Sequence, residues 1–156
     1  MKRQQGVVLL LALSLSLLLG LLAAQGLREA LVQQRLLSEQ LAGVHAFEQA
    51  EASLIEGAAL LSTHLPELSS ACLPPGLPGD EPAPPWQATD SGYVFLQNLG
   101  QSSRAAGMPV GEQVTLVRVT AISRQVRGRR VLEAVHALDD AAVLRRISWR
   151  QRLEDD

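Results

Sequence analysis

The sequence is poor in three residue types that usually signal function or stability. It has one cysteine, Cys72, and one lysine, Lys2, and aromatic residues make up only 3% of its 156 residues. A single cysteine excludes an intramolecular disulfide and any zinc or iron–sulfur site built from several cysteines. Because aromatic residues are scarce, the core must come from Leu, Val, Ile and Ala, within one small domain at most.

Motifs of catalysis and metal binding are also missing. The three histidines, His45, His64 and His136, show no metal-ligand spacing, and the sequence contains no nucleophile elbow or other catalytic motif. We therefore predict that the protein is not an enzyme and holds no metal and no cofactor.

Positive charge is concentrated near the C-terminus. Nine arginines lie between Arg118 and Arg152, although the formal net charge is -2. They alternate with apolar residues and lack the interleaved aromatic residues and motifs of nucleic-acid binding. We interpret them as solvated faces of strands, and we expect no nucleic-acid partner.

An uncharged apolar segment occupies residues 7–24. A helix needs about 20 such residues to cross a hydrocarbon core of ~30 Å, so membrane insertion is expected. Lys2 and Arg3 precede the segment, and no basic residue follows before Arg28. The positive-inside rule then predicts a cytoplasmic N-terminus and an exported, periplasmic remainder, which is a single-pass inner-membrane protein.

Three interpretations of this segment remain open. It is typical of a secretory signal peptide cleaved after the apolar run, near Ala24. It is equally compatible with an uncleaved anchor. In the third, a basic, polar leader of residues 1–6 ends in Gly6 and is cleaved before Val7, at the start of the apolar run.

The helical pattern continues beyond the apolar segment. Residues 26–64 contain no proline, and apolar residues recur at helical spacing opposite a polar face until Pro66 stops the pattern. The apolar positions are Leu27, Leu31, Leu37, Leu41, Val44, Leu54, Ala58 and Leu61. We predict a transmembrane helix over residues 7–25 and an amphipathic extension over 26–65.

The remainder predicts a loop and a sheet. Six of the twelve residues in 74–85 are proline, so residues 66–92 are expected to be a linker. Residues 93–156 contain β-type runs at 93–96, 113–123, 130–138 and 143–151, with Arg127-Gly128-Arg129 as a tight turn. The predicted fold is α+β: a long N-terminal helix whose C-terminal half packs on a small antiparallel sheet.

Three sequence features together resemble a known family. The leader ends in Gly6 before Val7-Val8-Leu9, a later run stands as Ala42-Gly43…Ala46-Phe47-Glu48-Gln49-Ala50-Glu51-Ala52-Ser53-Leu54-Ile55-Glu56-Gly57, and the chain approaches its end as Arg146-Ile147-Ser148-Trp149-Arg150-Gln151. With the predicted architecture, these features resemble type IV pilins, and more specifically the PilX-type minor pilins. The resemblance covers about the first 60 residues and, loosely, the last ten.

The resemblance implies a structural function in pilus assembly. A prepilin peptidase would cleave between Gly6 and Val7, and the new amine of Val7 would be N-methylated. The expected partners are the inner membrane and other minor and major pilins, and the final location is the pilus. Pilins usually carry a glutamate at the fifth mature residue, where this chain has Leu11. That difference favours a priming or tip subunit over a shaft subunit.

The candidate assembly surface and the class of the protein each have more than one interpretation. Leu11, Phe47, Glu51 and Leu54 are candidates for an assembly surface, but Phe47 and Leu54 would equally serve to cover the sheet while Glu51 faces water. The protein is otherwise interpreted as a type II secretion pseudopilin, which Leu11 favours, or as an uncleaved single-pass envelope adaptor.

Overall fold

The structure, a computed structural model, describes residues 3–70 and 84–152, with side chains from residue 7 onward. One helix, α1 (Arg3–Leu60), precedes five strands: β1 (Gln87–Ala88), β2 (Gly92–Ser102), β3 (Val114–Ser123), β4 (Val131–Leu138) and β5 (Leu144–Arg152). The chain divides into two compact units, Met1–Gln40 and Leu41–Asp156. We call the second unit the head. Cys72, most of the proline-rich segment and the acidic residues 154–156 lie outside the described residues.

The first unit is the N-terminal part of α1. No proline interrupts the helix, so its ladder of backbone hydrogen bonds is continuous. All side chains from residue 7 to residue 40 are exposed. By length and composition this part of α1 could cross a membrane, and its exposed apolar surface is compatible with such an environment.

The head contains a five-stranded sheet in the order β1-β2-β3-β4-β5, with every neighbouring pair antiparallel. The C-terminal part of α1 packs on one face of this sheet. The predicted α+β class, with a helix covering a small antiparallel sheet, is therefore confirmed. We call the face that turns away from α1 the outer face.

Small residues on α1 allow it to lie close to the sheet. Ala46, Ala50 and Leu54 recur every four residues and are buried, as expected for one helical face. At Gly57, a Cβ atom would lie only 2.8 Å from Cγ1 of Val119 in β3. The core therefore depends on the absence of a side chain at Gly57.

The turn between β3 and β4 rests on the helix. The side-chain amide of Gln125 donates to the carbonyl of Ala42 at 3.2 Å, and its backbone amide donates to Oε1 of Gln49 at 3.0 Å. Gly128 has a φ of 69°, which glycine adopts without strain, and a Cβ there would lie 2.9 Å from the backbone nitrogen of Gly43. The predicted turn at residues 127–129 is thus present.

The helix ends at Leu60, five residues before the predicted end. The hydroxyls of Ser62 and Thr63 donate to the carbonyls of Ala59 and Leu60, at 2.7 and 2.9 Å. The same two carbonyls also accept hydrogen bonds from the backbone amides of Ser62 and Thr63, at 3.2 and 3.1 Å. These bonds span three residues, so α1 ends in a tightened last turn ahead of Pro66.

The two ends of the predicted linker are part of the head. Leu68 forms an isolated parallel bridge with Asn98, and β1 pairs with the start of β2. Trp86 is buried on the outer face, with its ring centroid 5.8 Å from that of Phe95. Burial of one large ring outweighs the local proline signal, and so the sheet begins before residue 93.

Candidate functional site

The first candidate site is the apolar segment of α1. From Val7 to Leu27 it carries no charge, and at about 1.5 Å per residue it is roughly 31 Å long, enough for a hydrocarbon core. The hydroxyl of Ser14 donates to the carbonyl of Leu10 at 2.9 Å, so this polar group is satisfied within the helix. Among the described residues, α1 is the one helix long and apolar enough to cross a membrane.

The predicted processing residues lie in this helix. Gly6 and Val7 are both within α1, which begins at Arg3, so the backbone is helical on both sides of the bond that joins them. Leu11 is 67% exposed. Its side chain is apolar, so the segment has no carboxylate at this position. Charged groups first return at Arg28 and Glu29.

The predicted assembly residues of the head have different environments. Leu54 is 3% exposed and belongs to the core, so it offers no surface to another subunit. Phe47 packs at the border of this core, with its ring edge-on to that of Trp149 at 6.3 Å between centroids. Glu51 is exposed. The structure does not bring Phe47, Glu51 and Leu54 together on one exposed patch.

A polar cluster on the outer face was not predicted from the sequence. Glu133 in β4 is paired with Arg150 in β5, and its side chain is 3% exposed. The Nε and Nη2 atoms of Arg150 lie 2.8 and 2.7 Å from Oε2 of Glu133, and Nη1 of Arg152 lies 3.8 Å from Oε1. The one sequence feature that could have indicated this cluster is Glu133, the single acidic residue within the apolar run of residues 131–135.

A pocket of about 280 Å³ opens beside this ion pair. Its lining comes from three neighbouring strands: Arg118, Glu133, Val135, Ser148 and Arg150. The lining contains two arginines and one glutamate, so it carries an excess of positive charge. Arg150 binds Glu133, whereas Nη1 of Arg118 donates to Oε1 of Gln97 in β2 at 3.3 Å. The arginines predicted only as solvated strand faces therefore include two that line a defined cavity.

His136 is a buried titratable group on the face that packs against α1. Its side chain is 6% exposed, and its Nδ1 atom has no hydrogen-bond partner among the described residues. Burial, and secondarily the charge of Arg146, lowers the pKa of His136 below its ordinary value of 6.5. The neutral imidazole is therefore the form that the folded head accommodates.

This pKa shift predicts acid sensitivity of the head. Below pH 6.5, the unfolded chain takes up a proton on His136 that the folded chain resists, so the free energy of unfolding falls as the pH falls from 6.5 to the folded pKa. In urea titrations followed by tryptophan fluorescence, His136→Gln should remove part of this pH dependence. The exposed His64 provides the matched control, His64→Gln, and equal pH profiles for the two variants would contradict the assignment.

No group of three or more His, Cys, Asp or Glu side chains able to hold a metal ion occurs within residues 3–70 and 84–152. Comparison with protein-family models, curated proteins and solved structures found no match to this chain.

Proposed function

We propose that the protein is a minor pilin-like subunit that takes part in priming or capping a type IV pilus. The observation that carries this proposal is the combination within α1 of an uncharged, exposed apolar half and a half that is built into the core of the head. A plain membrane anchor does not need its helix to form part of the folded domain. A filament subunit does, because its helix has to carry the head with it.

Assembly would transfer the apolar half of α1 from lipid to a bundle of other pilin helices. Leucine gains little hydrophobic energy in that exchange, so packing between helices and an assembly motor must drive it. A carboxylate in the apolar segment would need a partner, and Leu11 requires none. The subunit is therefore suited to the end of a filament, where a neighbour is missing on one side.

The sequence resemblance supports the same proposal. The leader that ends in Gly6 and the run from Ala42 to Gly57 match the PilX-type pattern, and the structure gives this run a physical role in the head. Ala46, Ala50 and Leu54 are core residues, and Gly43 and Gly57 are points of close approach. The motif therefore serves the attachment of helix to sheet.

Two alternatives are each favoured by one observation. Leu11 favours a pseudopilin of type II secretion, in which the same architecture would act at the tip of a short secretion filament. The continuous helix across Gly6 and Val7 favours an uncleaved single-pass adaptor, because a protease cleft binds extended backbone.

N-terminal sequencing of the membrane-bound protein, coexpressed with a prepilin peptidase, tests the proposal. We expect the mature chain to begin with N-methylated Val7, and we expect Gly6→Val to block processing while Gly20→Val leaves it intact. A start at Met1 would favour the adaptor, and a start near Gln25 would favour plain secretion. A deletion strain then separates the two filaments: loss of piliation supports the pilus subunit, and loss of secretion supports the pseudopilin.

A further inference from the structure

The two edges of the sheet are protected to different degrees. At one edge, β2 is covered by β1 along its first residues and by the bridge from Leu68 to Asn98 near its other end. At the other edge, β5 spans nine residues, and no strand among the described residues pairs with its outward side. An open strand of this length presents backbone donors and acceptors to any extended chain that fits beside it.

The side chains of β5 restrict which chain fits. The strand contains Arg145, Arg146, Arg150 and Arg152. Arginines on an edge strand discourage pairing with neutral or basic strands, and they repel a second copy of the same edge. They attract an acidic strand, because opposite charges on neighbouring strands stabilise a pair.

The pocket on the outer face marks where an acidic side chain of a strand paired with β5 would bind. Arg118, Val135 and Ser148 are successive partners across β3, β4 and β5, so they form one row across the sheet. The next member of that row would belong to a strand added beyond β5. Ser148 has the smallest side chain of the three, and the pocket lies beside it. Arg118 and Arg150 form part of the walls of this pocket.

A glutamate side chain matches this pocket in both charge and shape. Its methylene groups would lie beside Ser148, and its carboxylate would accept hydrogen bonds from the hydroxyl of Ser148 and from Arg150. Nη1 of Arg118 donates to Oε1 of Gln97 in β2 at 3.3 Å, so Arg118 contributes its positive charge to the pocket and not a hydrogen bond to the incoming strand. Glu133 does not cancel the attraction, because it carries one negative charge and is paired with two positive groups, Arg150 at its Oε2 atom and Arg152 at 3.8 Å from Oε1. Arg118 and Arg150 set against Glu133 leave one excess positive charge, and Arg152 raises this excess to two.

We propose that β5 is a docking edge for an acidic β-strand of a partner protein, with one glutamate of that strand seated in the pocket beside Ser148. This holds whether or not the protein is assembled into a filament, so failure of the pilin proposal would not affect it. Backbone hydrogen bonds to β5 would supply the pairing, and the pocket would select the register and the acidic residue.

A labelled peptide tests this with the full-length protein in detergent micelles. The probe is fluorescein-labelled Thr-Val-Thr-Glu-Thr-Val-Thr, and the readout is fluorescence anisotropy. We expect saturable binding that weakens with salt, at least a tenfold loss when glutamine replaces the glutamate, and loss of binding when alternate amides of the peptide are N-methylated. No saturable binding by the glutamate peptide, or equal binding by the glutamine peptide, would overturn the proposal.

Protein variants locate the binding position. Ser148→Leu fills the pocket without changing the charge and should weaken binding about tenfold. Arg118→Gln removes one of its cations without removing a direct hydrogen bond and should weaken binding to a smaller extent. Arg104→Gln, at an exposed position in the loop between β2 and β3 that does not line the pocket, is the matched control and should bind as the parent does. Unchanged binding in Ser148→Leu overturns the pocket assignment. Displacement of the probe by inorganic phosphate as readily as by unlabelled peptide, at matched ionic strength, shows a general anion site and overturns the strand assignment.

Discussion

Replacing Gly57 with valine is expected to destabilise the head by about 3 kcal/mol, the upper part of the usual range for overpacking a core. A Cβ atom at this position would already lie 2.8 Å from Cγ1 of Val119 and 3.1 Å from Cγ1 of Val94. Both valines are buried and stiff at χ1, so neither can rotate away easily. The helix would have to move off the sheet, which would open the whole core.

Urea unfolding in detergent micelles measures this effect selectively, because Trp86 and Trp149 both lie in the head and α1 contains no tryptophan. The matched control is Gly26→Val, since no atom lies within 4 Å of the position that its Cβ would take. The control should unfold at the same urea concentration as the parent. Equal midpoints for Gly57→Val and Gly26→Val would show that α1 does not pack on β3 as described.

The elements of this fold could be predicted because each has a local pattern. The absence of proline from residue 26 to residue 64 predicted α1 beyond the apolar segment, and the alternation in residues 113–123 predicted β3 to within one residue. The spacing of apolar residues and the positions of helix-breaking residues predict helices and strands without knowledge of the tertiary contacts. The predicted end of α1 was five residues too late, because the helix tightens into a turn with hydrogen bonds across three residues before Pro66, and the pattern of apolar residues does not show this turn.

The outer-face cluster could not be predicted, because it depends on the register between strands. Glu133 meets Arg150 only through the pairing of β4 with β5, which includes an irregularity between Val135 and His136. A shift by one residue would put Arg150 on the opposite face. The sequence shows an acidic residue and several arginines in separate strands, but it does not show which of them meet.

The predicted assembly surface illustrates the same limit. Phe47, Glu51 and Leu54 are spaced three or four residues apart on α1, and the sequence left open whether they form an assembly surface or whether Phe47 and Leu54 cover the sheet while Glu51 faces water. The structure has the second arrangement for Leu54, Phe47 and Glu51. Which part of that helical face the sheet covers depends on the crossing of α1 over β2 and β3, and this crossing buries Leu54 while Glu51 stays exposed. Leu11 remains a sequence-based argument about filament position.

Arg150→Met is expected to destabilise the head by about 2 kcal/mol, because it removes both hydrogen bonds to Oε2 of Glu133 and leaves a carboxylate that is 3% exposed. A fully buried pair would lose more, roughly 3–5 kcal/mol. Arg150 itself is 60% exposed, so water can enter its place and solvate part of the charge. Arg152, at 3.8 Å from Oε1, also remains.

The double variant Glu133→Met with Arg150→Met separates loss of the pair from loss of packing. With no charge left to bury, its free energy of unfolding should return to within about 1 kcal/mol of the parent, because apolar residues of similar volume often replace a buried ion pair without loss. Arg104→Met controls for the removal of an arginine from an exposed position. Urea midpoints in which the double variant is no more stable than Arg150→Met would mean that Glu133 is not held by Arg150.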